Sequence, residues 1–410
     1  MRAAVAAVAV IAALLGGVAA LALGKATGWV DDGTQTVFVP VRSGQVGDGG
    51  IAATDEVPDT GKPLPGNDFD PSQIYRARSS GVVTIYALFG SHSSDGGGSA
   101  SQGSGFVVSP DGYILTNSHV ITTAGEGAPE EKPEQADEVF VEYRSGERVG
   151  ARIVGYDLFD DVGLLKVDPQ EHPVHPVPLG DSSRVEVGEP VAAIGSPFGQ
   201  TTSLSVGVVS ATERSIESLT STFDVVDAIQ TDAPINRGNS GGPLFDARGR
   251  VIGINAQIRS QTGTAEGVGF AVPINSARRS MRQLIANGVV RYAWVGISTQ
   301  TVTPSLATEL GFDAPRGAAV QTIIEGSPAE KAGFRAGTND AEFEGIQIRT
   351  GGDVIVAIDG QRVSDAEDVV REVAALEPGQ RVVFSVARDG DRVDIPVVLG
   401  VRPSVVPGQG

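Results

Sequence analysis

Ser240 stands among glycines in the stretch 231–244, a composition that suits a nucleophilic serine. Glycine permits tight or positive-φ turns and a close approach of the backbone to a bound group. The amide N–H groups of Gly238 and Ser240 can therefore converge on one point, as an oxyanion hole requires. A serine hydroxyl is a weak nucleophile at neutral pH and needs a neighbouring base. Taken alone, the stretch equally fits a glycine-rich turn between two strands.

The candidate bases all precede Ser240, and they are His92, His119, His172 and His175. In the nucleophile elbow of α/β-hydrolases the histidine follows the serine, so the order of residues excludes that fold. The order His, Asp, Ser remains open. His119 differs from the others because it follows an apolar strand and opens a helical turn. His92 lies in a Gly/Ser-rich loop, and His172 and His175 lie beside prolines, so we expect these three to have no catalytic part.

The segments around the candidate base and acid predict β-strands. The segment that ends at His119 predicts a hairpin that turns at residues 110–112. An apolar strand also follows Asp160 and Asp161 directly. A base, an acid that can orient it and a nucleophile are thus present in a workable order.

Three motifs in this order resemble those of the HtrA (Deg) family of trypsin-like serine proteases: TNSHV (116–120), DDVGLLKV (160–167) and TDAPINRGNSGGPLFD (231–246). Segments 194–214 and 267–275 resemble parts of the family that line the active-site cleft. The resemblance implies His119 as general base, Asp161 as the acid that orients it and Ser240 as nucleophile. It also implies an oxyanion hole built from Gly238, Asn239 and Ser240, with no metal and no cofactor.

The family motif places its acid directly before the apolar run, which selects Asp161 over Asp160. Successive side chains on a strand point to opposite faces, so only one of the two can reach the imidazole. We therefore expect Asp160 to point to solvent or to cap the preceding turn.

Pro234 and Ile235, which precede the serine, are expected to form the floor of the specificity pocket. By the resemblance, Pro234 takes the place where a trypsin-like pocket carries its acid. A cationic side chain would be buried there unpaired, at a cost of several kcal/mol. We therefore expect cleavage after small or medium apolar residues, with Asp232 facing elsewhere.

The fold expected for residues 71–288 is mainly β, because short apolar strands alternate with turn signals. The resemblance implies a chymotrypsin-like double β-barrel, closed by a capped helix that starts near Asn275 and stops at Gly288. The chain has no cysteine, so core burial must stabilise it without disulfides.

Residues 292–400 resemble a PDZ domain, an α+β fold, through the motifs GSPAEKAGFRAG (326–337) and GGDVIVAIDGQRV (351–363). A helix is expected at 365–376, and residues 338–350 are longer than the fold needs. A PDZ domain receives the terminal carboxylate of a peptide on backbone N–H groups while the peptide adds a strand to its sheet. The loop that would do so here consists of Trp294, Val295, Gly296 and Ile297.

Residues 3–24 contain only Ala, Val, Ile, Leu and Gly. A helix of this length would cross the ~30 Å hydrocarbon core of a membrane. We expect residues 1–25 to form a signal anchor, with a single-pass protein in the cell membrane and its catalytic domain outside the cytoplasm. The alternative is a cleaved signal peptide and a secreted protein. An acidic linker rich in Gly and Pro (26–70) follows, and the tail is residues 401–410.

The net charge of −19 and the lack of a basic cluster argue against a nucleic-acid partner. The acidic segment 122–138 is expected to be a solvated loop, and steering of basic substrates is its alternative role. The resemblance implies an endopeptidase that degrades unfolded or misfolded exported proteins under stress, assembled as a homotrimer. The alternative function is a chaperone or PDZ scaffold that binds without cleaving.

Overall fold

The protein is represented by a computed structural model that describes residues 69–90, 98–124, 133–196, 202–221, 223–236, 238–256 and 268–403. The expected N-terminal helix, most of the acidic linker and His92 lie outside the described residues. None of the helices in these described ranges is both long and apolar enough to span a membrane.

The first barrel closes six antiparallel strands in the order β1-β2-β3-β6-β5-β4. The predicted hairpin is present, with Phe106 paired to Leu115 across the turn at residues 110–112. The helix α1 (Pro71–Arg78) precedes this barrel and packs against the second one, whereas α2 (Ser118–Ile121) flanks this barrel. Its strands are β1 (Val82–Phe89), β2 (Ser99–Val107), β3 (Tyr113–Thr116), β4 (Glu138–Glu142), β5 (Arg148–Asp157) and β6 (Val162–Lys166).

The second barrel also closes six antiparallel strands, in the order β10-β11-β12-β9-β8-β7. Together the two barrels confirm the predicted double-barrel, mainly β fold. The strands are β7 (Pro190–Gly195), β8 (Ser203–Ile216), β9 (Val225–Thr231), β10 (Pro243–Phe245), β11 (Val251–Ala256) and β12 (Gly269–Pro273).

One apolar core joins the two barrels. Phe106 and Leu164 of the first barrel lie in the same buried cluster as Ile194 and Phe245 of the second. Phe106 and Phe245 are fully buried, and burial of one such side chain contributes roughly 1.5–3 kcal/mol. The shared core fixes the two barrels against each other, so loops from both can form one site.

The helix that follows the second barrel is α3 (Ile274–Asn287), and Leu284 joins its apolar face to the shared core. It ends at Gly288, whose φ of 71° gives the left-handed C-cap that the sequence predicted. The predicted side-chain cap at its start is wrong, because Pro273 occupies the N-cap position and makes no such bond. Asn275 instead donates to Asp181 at 2.8 Å.

The C-terminal domain packs helices against a sheet of order β14-β15-β18-β20-β21, with β19 paired to β18. A two-stranded sheet, β13 with β22, joins its two ends. Its helices are α4 (Pro304–Leu310), α5 (Pro328–Ala332) and α6 (Ala366–Ala374). Its strands are β13 (Ala293–Trp294), β14 (Ile297–Val302), β15 (Gly317–Ile323), β16 (Asn339–Phe343), β17 (Ile346–Thr350), β18 (Val354–Ile358), β19 (Gln361–Arg362), β20 (Arg381–Arg388), β21 (Asp391–Val398) and β22 (Gly400–Val401).

The extra segment 338–350 forms a hairpin of β16 and β17. Ile348 of this hairpin is buried in a cluster with Leu306 of α4 and Val354 of β18. The segment therefore extends the apolar core of the C-terminal domain.

Candidate active site

His119 lies in α2, the single helical turn that follows β3 of the first barrel. Asn117 has extended backbone (φ −85°, ψ 152°), so the chain enters the turn directly from the strand. The imidazole side chain is 16% exposed, whereas its neighbours Ser118 and Val120 are buried. The histidine is thus the accessible side chain of an otherwise buried turn.

The carboxylate of Asp161 accepts three hydrogen bonds from this turn. Its Oδ2 lies 2.8 Å from Nδ1 of His119, and its Oδ1 accepts from Ser118 Oγ at 2.7 Å and from the His119 amide at 3.1 Å. Asn117 Nδ2 also donates to the Asp161 carbonyl at 2.8 Å. A carboxylate held in this way favours the proton on Nδ1, which leaves Nε2 of the neutral ring as an acceptor.

Asp161 lies in the turn between β5 and β6, with a φ of 49°. The strand-alternation reason for choosing it over Asp160 is therefore wrong, because neither residue is on a strand. The expectation that Asp160 points to solvent is also wrong. Asp160 is 5% exposed, and its Oδ2 accepts from the Tyr292 hydroxyl at 2.7 Å and from Arg279 at 3.1 Å.

The pKa of His119 is raised above its ordinary value. Desolvation by burial acts to lower this pKa, but the charge of Asp161 and its hydrogen bond raise it by more. The carboxylate thus favours the imidazolium that forms when the ring takes a proton. Such a ring is suited to general-base chemistry near neutral pH.

Ser240 lies in the loop between β9 and β10, where Gly238 and Gly241 have φ of 99° and 82°. A Cβ at Gly241 would lie 2.2 Å from the Ser104 carbonyl oxygen, so only glycine fits there. Ser240 is 4% exposed, and its Oγ has no hydrogen-bond partner among the described residues. The structure therefore leaves Ser240 Oγ without a hydrogen bond to His119, as is common when no substrate is bound.

Ser104 of β2 ties the Ser240 loop to the first barrel. Its amide donates to the Ser240 carbonyl at 2.8 Å, and its Oγ donates to the Gly238 carbonyl at 2.5 Å. The same Oγ accepts from the Ser196 amide at 2.8 Å, and Ser104 is fully buried. Sequence reasoning missed this residue, although its place between two glycines was a signal of close backbone packing.

The turn that carries His119 and the loop that carries Ser240 both pack against Gly103 of β2. A Cβ at Gly103 would lie 2.6 Å from Val120 and 3.2 Å from the Ser240 carbonyl oxygen. Gly103 thus brings the two elements that carry the candidate base and nucleophile together across the interface of the barrels.

The three residues predicted for an oxyanion hole are not equivalent. The Asn239 amide donates to the Asn236 carbonyl at 2.9 Å, so it is not available to a substrate. The amides of Gly238 and Ser240 have no acceptor within the described part of the chain. The backbone therefore leaves the amides of Gly238 and Ser240, and not that of Asn239, as candidate oxyanion donors.

Comparison with known families agrees with both halves of the chain. Residues 103–254 match the model of the trypsin-like peptidase domain, and residues 293–399 match that of the PDZ domain. A solved structure of the HtrA-type protease AlgW with a tripeptide is 33% identical, with a TM-score of 0.66. The alignment covers 82% of this chain and 98% of that one. The chain belongs to the HtrA family of serine proteases.

Other HtrA relatives are longer or more distant. A protein of Hahella chejuensis (strain KCTC 2396), named "Probable periplasmic serine endoprotease DegP-like", is 41% identical over 304 residues, or 74% of this chain. This chain spans only 58% of that relative's length. The serine endoprotease from Yersinia pestis is 27% identical, with a TM-score of 0.56 over 81% of this chain and 98% of that one.

In this HtrA-family chain, Ile235 is 9% exposed and packs against Gly269, where a Cβ would lie 2.6 Å from Ile235 Cγ1. Pro234 is exposed, and its carbonyl accepts from Ser205 Oγ at 2.9 Å. Asp232 is also exposed, and its Oδ1 accepts the Val208 amide at 2.7 Å, which ties it to β8. Of the two residues expected to form the pocket floor, Ile235 is therefore buried and Pro234 is exposed.

The predicted carboxylate-binding loop of the HtrA chain joins β13 to β14. Gly296 has a φ of 86°, and a Cβ there would lie 2.3 Å from Ser327 Cβ. Ile297 packs in one apolar cluster with Val369 and Val373 of α6, the residues expected to line the adjoining pocket. Val369 and Val373 are 4% and 5% exposed, so both lie in the apolar core beside Ile297.

Proposed function

We propose that this chain is a serine endopeptidase in which His119 is the general base, Asp161 orients it and Ser240 is the nucleophile. One observation carries the proposal. The pair of His119 and Asp161 is preassembled at 2.8 Å on the first barrel, and hydrogen bonds from Ser104 hold the Ser240 loop beside it. The fixed pair and the adjacent Ser240 loop supply the base, the orienting acid and the hydroxyl that acyl transfer needs.

In the proposed reaction, Ser240 Oγ attacks the peptide carbonyl while Nε2 of His119 takes its proton. Asp161 stabilises the imidazolium through Nδ1 and the ring then gives the proton to the leaving amine. The amides of Gly238 and Ser240 receive the developing oxyanion, and one such donor is worth roughly 3–4 kcal/mol. Water then hydrolyses the acyl-enzyme by the same route.

The proposed substrates are unfolded or misfolded polypeptides, cleaved after small or medium apolar residues. Two features of the segment before Ser240 support this preference. Ile235 supplies a buried apolar side chain, and the carboxylate of Asp232 is bonded to β8. A peptide-library profile dominated by Lys or Arg would contradict it. The PDZ domain is proposed to bind apolar C-terminal peptides through residues 294–297.

The proposed setting is outside the cytoplasm, in protein quality control. The apolar run at 3–24 supports export, and the similar Hahella chejuensis protein is named periplasmic. We propose that the run stays as a membrane anchor and that the protein is a homotrimer, as the family resemblance implies. Recovery of a soluble exported form that starts near Leu23 would contradict the anchor. Sedimentation of the detergent-solubilised chain as a monomer would contradict the trimer.

Labelling with a fluorophosphonate probe separates the endopeptidase from a chaperone or scaffold that binds without cleaving. The probe reacts with an activated serine, so we expect wild type to be labelled and Ser240→Ala to stay unlabelled. Ser218→Ala is a matched control, because Ser218 is a buried serine of the same domain whose hydroxyl bonds locally. Equal absence of labelling in wild type and Ser240→Ala, with substrate still bound, would favour the non-cleaving alternative.

A further inference from the structure

A buried polar cluster lies beside the turn that carries Asp161. Asp157, at the end of β5, and Asp160 are 2% and 5% exposed. Both face the hydroxyl of Tyr292, which is 2% exposed and directly precedes β13 of the PDZ domain. The cluster thus joins the turn that carries Asp161 to the first residues of the PDZ domain.

The number of protons in this cluster is constrained by its distances. The Tyr292 hydroxyl oxygen lies 2.5 Å from Asp157 Oδ2 and 2.7 Å from Asp160 Oδ2. A phenol has one proton and can donate it to one acceptor only. The second short contact needs a proton of its own, since two oxygen lone pairs at that distance repel. One of the two carboxyl groups must therefore hold a proton when this geometry is formed.

The surroundings indicate which carboxyl group holds the proton. Arg279 of α3 donates to Asp160 Oδ2 at 3.1 Å and so favours its charged form. Within the described residues Asp157 hydrogen-bonds to uncharged groups, namely Ser280 Oγ at 2.6 Å, the Phe159 and Asp160 amides at 3.0 and 3.5 Å, and the Tyr292 hydroxyl at 2.5 Å. Burial and then the charge of Asp160 raise the pKa of Asp157 to about 6. The proton thus belongs on Asp157, which donates to Tyr292, which in turn donates to Asp160.

Both ends of the PDZ domain meet at this cluster. The amide of Arg402, just after the closing strand β22, donates to the Tyr292 carbonyl at 2.9 Å. Its guanidinium lies over the rings of Phe159, Phe223 and Tyr292, at 5.2, 5.0 and 5.2 Å from their centres. The Tyr292 ring also packs edge-on against Phe159, with centroids 5.1 Å apart. The first and last residues of the PDZ domain therefore both contact residues 157–160.

We propose that Asp157, Tyr292 and Asp160 form a proton-sharing latch that holds the PDZ domain against the turn of Asp161. Tyr292 is thereby a positioning residue, and its effect on catalysis rests on the role proposed above for Asp161. The cationic groups that face the latch are Arg279 and Arg402. Because the folded-state pKa of Asp157 exceeds its ordinary value of 3.8, the latch contributes stability at low pH. That contribution is lost as the pH rises through about 6.

Amide hydrogen exchange of the full chain tests the latch directly. The Ser240→Ala background prevents self-cleavage, and exchange at residues 157–161 is compared from pH 5 to 8 after correction for the intrinsic rate. Tyr292→Phe removes the hydroxyl but keeps the ring, and Asp157→Asn replaces the protonated carboxyl by a neutral donor. Tyr143→Phe is the matched control, because the buried Tyr143 hydroxyl has no partner among the described residues.

We expect corrected exchange at 157–161 to rise with pH in the Ser240→Ala parent and to stay low throughout in Asp157→Asn. Tyr292→Phe should raise it about ten-fold at pH 5, in line with the loss of a hydrogen bond to a charged group, while Tyr143→Phe matches the parent. With Ser240 restored, Tyr292→Phe should lower kcat with KM unchanged. Parent-like exchange in Tyr292→Phe, or parent-like pH dependence in Asp157→Asn, overturns the latch. Absence of turnover in wild type would instead count against the endopeptidase and leave the exchange result valid.

Discussion

Replacement of Asp161 by Asn perturbs the proposed triad with the least change of shape. The amide can still offer one oxygen to Ser118 Oγ and to the His119 backbone, which now bond to Oδ1 at 2.7 and 3.1 Å. Its NH₂ group then replaces Oδ2 and donates towards Nδ1 of His119. This places the ring proton on Nε2, the nitrogen that must accept from Ser240.

The expected loss of turnover is at least about 10²-fold, which corresponds to about 2.7 kcal/mol of transition-state stabilisation. The same substitution in another serine protease, used as the reference example of the triad, lowers kcat about 10⁴-fold. The pKa of His119 should also fall, because the charge and hydrogen bond that raise it are both removed while desolvation remains. The acid limb of kcat/KM should therefore move to lower pH.

The assay is the pH profile of kcat/KM on an unstructured peptide substrate for wild type, Asp161→Asn and Asp168→Asn. Asp168 is an exposed aspartate just beyond β6 whose carboxylate, among the described residues, accepts from the local Gln170 amide alone, so its variant should match wild type. Turnover within about three-fold of wild type in Asp161→Asn would refute the role of this acid. An unchanged acid limb would refute the cause given for the raised pKa of His119.

The remaining predictions concern the supports of the site. Ser104→Ala removes the hydrogen bond to the buried Gly238 carbonyl, at about 1–3 kcal/mol, so its melting temperature and kcat should both fall. Ser99→Ala, at an exposed position of the same strand, should change neither, and an unaltered Ser104→Ala would refute the bridging role. Asp160→Asn should destabilise the fold by about 1–3 kcal/mol in urea titration, because Arg279 loses its buried charge partner. Calorimetry should show that amidating a C-terminal peptide weakens its binding to residues 294–297, and equal affinity would exclude carboxylate capture.

Much of the site followed from local sequence signals. The hairpin turn at residues 110–112 and the C-cap at Gly288 are set by short-range turn chemistry, and both were predicted. The resemblance supplied His119 and Asp161, and the structure places their side chains 2.8 Å apart. The hairpin turn and the C-cap were predictable because each depends on residues only a few positions apart, whereas the pair of His119 and Asp161, 42 positions apart, needed the resemblance.

The features that sequence reasoning missed depend on distant partners. Asp160 is buried because Tyr292, 132 positions later, and Arg279, 119 positions later, reach its carboxylate. Ser104 contacts Gly238 across 134 positions, a pairing that neither segment reveals alone. Such contacts arise only once the barrels and the PDZ domain have packed, so no local pattern predicts them.

Cleavage of an unfolded protein by wild type and by Ser240→Ala tests the central claim most directly. Both proteins are first shown to fold alike by circular dichroism and to melt within a few degrees of each other. Casein fragments are then followed over time at neutral pH. The triad predicts steady cleavage by wild type and none by Ser240→Ala. Equal cleavage by the two proteins would contradict it, because the nucleophile would then lie elsewhere.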